Sequence, residues 1–168
     1  MKKRILSTFL AFALLLTLLP TTAFAEGENT IYTQSTYTGA DSDGTKNKPF
    51  KTFDAALSKA KELGGGTIVI LGHAFQNDST STSAPLIIDT PVTIEGRAAD
   101  DNSGQATFNI RSGGIALGAD VTIKNVALEL TNRYHNAIFV NGHQFTATNV
   151  TRAASARTVH LFGGGLAG

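Results

Sequence analysis

Residues 121–130, VTIKNVALEL, decide the fold class. Val121–Lys124 alternates apolar and polar side chains, which is the period-two pattern of a strand with one buried face. Val126–Leu130 alternates in the same way, but its large apolar side chains fall on even-numbered positions instead of odd ones. We therefore expect Asn125 to be a corner, at which one strand ends and another begins with its buried face reset.

Short strands of this kind recur on both sides of the quoted stretch. Glycine, asparagine or aspartate usually separates one from the next. The predicted strands are Thr30–Thr33, Thr67–Leu71, Leu86–Ile88, Val92–Glu95, Thr107–Ile110, Ile115–Leu117, Val121–Lys124, Val126–Leu130, Ala137–Val140, Phe145–Thr148 and Val159–Phe162. Many short strands without helices between them indicate an all-β fold.

A weak repeat links these strands. Val92–Gly96, VTIEG, resembles Val121–Asn125, VTIKN. Four residues are taken as equivalent inward positions, at steps of 25, 29 and 24 residues: Val69, Ile94, Ile123 and Ala147. A step of that size predicts a solenoid of the parallel β-helix type, whose successive coils, or rungs, stack about 4.8 Å apart.

The alternative all-β architecture is a β-sandwich, which joins antiparallel strands through tight hairpin turns. Asn141-Gly142 is the one hairpin-type dipeptide that lies between two of the later strands. This scarcity of hairpin turns favours the β-helix.

One helix is predicted beyond residue 25, over Thr52–Leu63. Thr52 suits the N-cap, and Asp54 places a negative charge in the first turn, where the helix dipole favours it. Five residues form a single apolar stripe at helical spacing: Phe53, Ala56, Leu57, Ala60 and Leu63. Gly64–Gly66 should end the helix, because glycine accepts the left-handed conformation that closes helices.

The region around this helix resembles the opening of a known group of proteins. The residues concerned are 39–57, GADSDGTKNKPFKTFDAAL, and 64–71, GGGTIVIL. They are similar to secreted right-handed parallel β-helix proteins of the pectate-lyase-like superfamily, and the likeness is specific over roughly residues 30–72. The resemblance implies that the helix caps the N-terminal mouth of the β-helix. It also implies a choice of functions, since the superfamily contains polysaccharide lyases, glycoside hydrolases and surface proteins without known chemistry.

The first 25 residues have the pattern of a bacterial secretory signal peptide. A basic start, Lys2–Arg4, precedes an apolar run that is too short to span a bilayer, and Ala23 and Ala25 supply the small residues of a cleavage site. The protein is therefore expected to be secreted or on the cell surface, with no membrane span after cleavage. Without the three basic residues, 11 Lys and Arg stand against 13 Asp and Glu. This net charge of −2 gives no reason to expect nucleic acid as a partner.

The remaining chain divides into two parts. Residues 26–51 hold the N-terminal strand and loop, and residues 52–168 hold the capping helix and the first rungs. Gly163–Gly168 follows the last strand without a polar capping element, which predicts a chain truncated at its C-terminus. The open last rung should then promote self-association. A gene fragment with no independent role is a further interpretation.

Chemistry-bearing residues are sparse. The chain has no cysteine, which excludes disulfides, thiolate catalysis and Cys-based zinc sites. Weak calcium candidates are two acidic pairs: Asp41 and Asp43, and Asp100 and Asp101. Hydrogen-bonded turns and solvated loops are the simpler interpretation, so neither a metal nor another cofactor is predicted.

No catalytic group is predicted either. A lyase would need a base near calcium-binding carboxylates, and Arg97 or Arg111 could lie near Asp100 and Asp101. The four histidines show no ligand spacing. The leading hypothesis is a non-catalytic extracellular β-helix module of a surface or adhesin-like protein, with possible contacts to an extracellular, host or cell-wall polysaccharide. The alternative is the N-terminal part of a polysaccharide lyase or hydrolase.

Overall fold

Short parallel strands and one short helix make up the described part of the chain. The computed structural model describes residues 29–77, 84–100, 104–111, 113–130, 137–153 and 160–163. The signal-peptide prediction for residues 1–25 lies outside them. The helix is α1 (Phe53–Glu62). The strands are β1 (Thr30–Thr33), β2 (Gly66–Leu71), β3 (His73–Phe75), β4 (Leu86–Ile88), β5 (Val92–Arg97), β6 (Ala106–Ile110), β7 (Ile115–Leu117), β8 (Val121–Lys124), β9 (Val126–Leu130), β10 (Ala137–Phe139), β11 (Phe145–Thr148), β12 (Thr151–Arg152) and β13 (His160–Phe162).

The strands form three parallel sheets. The first sheet has the order β1-β2-β5-β8-β11, the second β3-β6-β9-β12 and the third β4-β7-β10-β13. From β2 onward, each strand therefore pairs with the strand three places further along the chain. All pairings between these strands are parallel, so an antiparallel β-sandwich is excluded for the described residues. The structure is an all-β parallel fold, as the sequence predicted.

The register of the first sheet corrects one predicted equivalence. Ile94 pairs with Ile123 and Ile123 with Ala147, as expected, but Ile94 pairs on its other side with Ile68. Val69 pairs with Glu95 instead. The prediction was wrong by one residue because β2 is apolar at four successive positions, all of them buried, so its inward face cannot be read from alternation. Ile68 belongs to the hydrophobic core with Ile94 and Ile123.

Asparagines with left-handed backbone form the corners. Asn125 and Asn149 have φ values of 56° and 50°, and the side-chain amide of Asn149 donates to the side-chain oxygen of Asn125 at 3.0 Å. The corner predicted at Asn125 is confirmed. Gly96 takes the equivalent position within β5, where a Cβ would lie 2.1 Å from the carbonyl oxygen of Asn125. Only glycine permits this close approach of two backbones.

Helix α1 is close to its predicted bounds. The Thr52 hydroxyl accepts a hydrogen bond from the Ala55 N–H at 3.4 Å, as predicted for an N-cap. Phe53 is fully buried, and its ring lies 4.4 Å from that of Phe108 in β6. Leu63 was wrongly placed on the apolar stripe. It lies at the C-terminal cap and is 43% exposed.

Two short strands, β3 and β12, were not predicted. His73–Phe75 and Thr151–Arg152 are too short to show a clear period, and they are strands because a parallel neighbour in the second sheet pairs with them. The predicted first residue of the last strand, Val159, lies outside the described residues, and β13 is described from His160.

Candidate functional site

The outer face of the first sheet carries a column of threonines. Thr67 pairs with Thr93, Thr93 with Thr122, and Thr122 with Thr146. Each precedes the inward residue of its strand, so its side chain points to the opposite, outer face. One hydroxyl therefore recurs on every strand, at the strand spacing of about 4.8 Å.

These four threonines line a surface groove of about 380 Å³, here called the threonine groove. Among the described residues that line it, Asp120 is the one that carries a charge. Its carboxylate accepts a hydrogen bond from the Gln144 N–H at 2.9 Å, and the Nδ1 atom of His143 lies 3.9 Å away. The groove is thus an uncharged row of hydrogen-bonding hydroxyls with one acidic group at its rim.

A second cavity, of about 450 Å³, lies between α1 and β4. Burial raises the pKa of the Asp54 carboxyl, although a hydrogen bond from the Asn77 side chain opposes the shift. One Asp54 oxygen is buried without a hydrogen-bond partner among the described residues. Lys61 and Asp89 form an ion pair on the same cavity wall, and exposed Ile87 adds an apolar surface.

A cluster on the second sheet, the His73 cluster, unites side chains distant in sequence: Ser35, His73, Phe75, Arg111 and Glu129. The Ser35 hydroxyl lies 2.9 Å from the Nδ1 atom of His73. The His73 ring packs edge-on against Phe75 at 4.5 Å, and the Arg111 guanidinium lies 3.7 Å from the Phe75 ring centre.

The electrostatics of this cluster lower the pKa of the His73 imidazole. Burial lowers the pKa of His73, Arg111 lowers it further, and Glu129 opposes the shift. The cluster could not be predicted from the sequence, because β3 was not predicted and Ser35 lies 38 residues before His73.

The predicted calcium candidates of the N-terminal loop are engaged in local contacts. Asp43 accepts hydrogen bonds from the backbone N–H of Thr45 at 2.9 Å and from its hydroxyl at 2.7 Å. These bonds lower the pKa of Asp43. Asp41 forms an ion pair with Lys48, whose ammonium already supplies a positive charge. The loop therefore has the bonding of a hydrogen-bonded turn.

The other predicted candidates are dispersed. Asp100 is exposed, and Asp101 lies outside the described residues. Arg97 forms an ion pair with Glu95 at 2.9 Å, and Arg111 belongs to the His73 cluster. In the described ranges, no three side chains of His, Asp, Glu or Cys form a group that could hold a metal ion.

Glu95 anchors a charged network beside the threonine groove. Its two carboxylate oxygens lie 2.9 Å from Arg97 Nε and 2.9 Å from Lys124 Nζ. Burial acts to raise the pKa of Glu95, but hydrogen bonds from Lys124 and Arg97 outweigh it and lower the pKa overall. The network supports the sheet and leaves the groove itself uncharged apart from Asp120. Within the part of the chain that the structure describes, no helix has the length and apolar character needed to cross a bilayer.

Comparison with known proteins gives one match. A family model described as "Protein of unknown function (DUF1565)" matches residues 37–162, about three quarters of the chain. No curated protein and no solved structure matches the chain.

Proposed function

The chain belongs to the DUF1565 family, and we propose that it is an exported, non-catalytic β-helix module that contacts polysaccharide along the threonine groove. The family is associated with β-helix-like proteins, which agrees with the three parallel sheets. The column of in-register threonines is the observation that carries the functional part of the proposal.

A right-handed β-helix accounts for the pairing pattern. Strands three places apart pair in each sheet, as they would if every coil of the chain contributed one strand to each sheet. Parallel strands joined by crossovers are right-handed in about 98% of known cases, because the strand twist favours that hand. The left-handed asparagines Asn125 and Asn149 repeat at the same corner of successive coils, which suits such a stack.

Export is the second part of the proposal. The basic start, short apolar run and Ala23–Ala25 site of residues 1–25 favour secretion or surface display. An extracellular position would bring the threonine groove into contact with polysaccharides of a cell wall or a host.

Polysaccharide suits the threonine groove for chemical reasons. A sugar polymer carries hydroxyl groups at regular intervals, and threonine hydroxyls can both donate to and accept from them. The groove follows the stacking direction of the strands and crosses four of them, so an extended chain could meet one threonine after another. Asp120 at the rim disfavours strongly anionic polymers, since like charges repel.

An enzyme is the second candidate, and the His73 cluster is the observation in its favour. The pKa of the His73 imidazole is lowered and the Glu129 carboxylate acts on it electrostatically, and an imidazole in such surroundings can transfer protons. The candidate activity is that of a polysaccharide lyase or hydrolase. Incubation of the chain with polygalacturonate and calcium, followed by ultraviolet absorbance of unsaturated products, tests it. Turnover that Arg97→Ala or Arg111→Ala abolishes would replace the non-catalytic proposal.

Binding to a panel of soluble polysaccharides tests the leading proposal. The panel should contain neutral glucan, mannan and xylan together with polygalacturonate, and affinity electrophoresis can rank them. We expect retardation by a neutral polymer. If each lost hydroxyl costs about 1 kcal/mol, the double variant Thr93→Val plus Thr122→Val should weaken binding by about thirtyfold.

Thr148→Val supplies the matched control. Thr148 lies on the same sheet and is exposed, but it does not line the groove. Its substitution should leave retardation unchanged. Equal losses in the double variant and the control, or no retardation by any polymer of the panel, would overturn the proposal.

A further inference from the structure

We propose that Asn141 is a site of spontaneous deamidation, by which the protein gains a negative charge in the connection between β10 and β11. Asn141-Gly142 forms the turn between β10 and β11. This turn joins strands of two different sheets, so it is not the hairpin that the dipeptide could have made. The inference does not depend on the proposed function.

The turn leaves the backbone nitrogen of Gly142 accessible, and this is the atom that would attack the Asn141 side chain. Gly142 is exposed, and a Cβ at its position would meet no atom within 4 Å. The turn is closed by the bond from the His143 N–H to the Val140 carbonyl at 2.9 Å, which does not use the Gly142 N–H. Among the described residues, the Gly142 N–H has no hydrogen-bond partner. Glycine also lacks the side chain that would hinder its approach to the preceding residue.

The reaction needs water as its only co-reactant. The backbone nitrogen of Gly142 attacks Cγ of Asn141, so a nitrogen–carbon bond forms and the bond from Cγ to Nδ2 breaks. The amide nitrogen leaves as ammonia and takes up the proton that Gly142 loses. Water then opens the resulting succinimide at either carbonyl, which gives aspartate or isoaspartate.

Two other asparagines provide an internal comparison. Asn125 and Asn149 have the same left-handed backbone as Asn141, whose φ is 51°. Each is followed by valine, whose branched side chain restricts the attacking nitrogen. Their side-chain amides are also bonded to each other. The glycine that follows Asn141 therefore distinguishes it from the other two asparagines with left-handed backbone.

Conversion would change the turn in two ways. The Asn141 amide donates to the carbonyl oxygen of Leu117 at 3.0 Å, and a carboxylate in its place cannot donate. Isoaspartate also lengthens the backbone between β10 and β11. The new charge would lie in the same connection as Gln144, whose N–H binds Asp120.

Peptide mapping by mass spectrometry tests the inference on the purified chain. Samples are taken before and during incubation in mildly alkaline buffer and digested with trypsin. The peptide 134–152 contains both Asn141 and Asn149, so fragment ions compare the two sites within one molecule. We expect loss of the Asn141 amide with time, as a mixture of aspartate and isoaspartate, while Asn149 stays intact.

The isolated peptide 134–152 is the control for intrinsic reactivity. If Asn141 deamidates in the peptide but stays intact in the folded chain, the Leu117 hydrogen bond protects it and the inference is wrong. Equal conversion of Asn141 and Asn149 in the folded chain would also overturn it. Asn141→Gly fits the left-handed backbone and should abolish the acidic species that ion exchange detects in the parent chain. The mass-spectrometric result on the parent chain decides the question even if that variant does not fold.

Discussion

Replacement of Ile123 by alanine tests whether the first sheet packs on the core as described. Ile123 is fully buried, in register between Ile94 and Ala147. The substitution removes three carbon atoms, and at about 0.8 kcal/mol for each buried methylene the loss of transfer free energy is about 2.4 kcal/mol. A parallel strand pairs with β8 on each side, so the neighbouring residues can fill only part of the cavity that the substitution leaves. This cavity raises the total loss in the free energy of unfolding to about 3–4 kcal/mol.

Chemical denaturation followed by circular dichroism measures this loss, with Ile87→Ala as the matched control. Ile87 lies in β4 and is 59% exposed, so its substitution should change the free energy of unfolding by no more than about 0.5 kcal/mol. Ile123→Val should fall between the two, at about 1 kcal/mol. Similar small losses for Ile123→Ala and Ile87→Ala would show that residue 123 does not face a packed interior, and the register of the sheet would then be wrong.

Three further predictions concern backbone approach and titration. Gly96→Ala should destabilise the chain by about 3 kcal/mol in the same denaturation assay, because its Cβ would meet the Asn125 carbonyl. Gly104→Ala should be nearly neutral, because its Cβ would lie 3.2 Å from its nearest neighbour, the Cβ of Ala98. Burial raises the pKa of Asp54 above 3.8 in the folded protein, so the free energy of unfolding should fall as the pH rises from 3.8 through the folded-state pKa. Asp54→Asn should remove this fall and raise the melting temperature at neutral pH. The pKa of His73 is lowered, so its effect on stability has the opposite pH dependence: the free energy of unfolding should fall as the pH drops below 6.5. His73→Gln should therefore flatten the acid side of a plot of melting temperature against pH.

The strand positions could be predicted because most strands are short, apolar on one face and separated by turn residues. The corner at Asn125 was predictable for the same reason, since the parity of the buried residues changes there. The inward position of β2 was wrongly predicted at Val69 because that strand lacks such an alternation. When both faces of a strand are buried, alternation disappears, and only the pairing of Ile68 with Ile94 identifies the inward residue.

The candidate sites were less predictable than the strands. A polar outer face could be expected from the sequence, but the alignment of Thr67, Thr93, Thr122 and Thr146 into one column depends on the register between strands. The His73 cluster could not be predicted at all. Ser35 and Glu129 lie far from His73 in sequence, and β3 has too few residues to show a period.

The sequence by itself determined the fold class, the position of the helix and the corner at Asn125. These features arise from local chemistry, since side-chain alternation, capping and left-handed asparagine act within a few residues. Only the tertiary structure decided which residues stand side by side on neighbouring strands. Register is a relation between segments about 25 residues apart, so the threonine groove and the close contact between Gly96 and Asn125 appear only after the strands have paired.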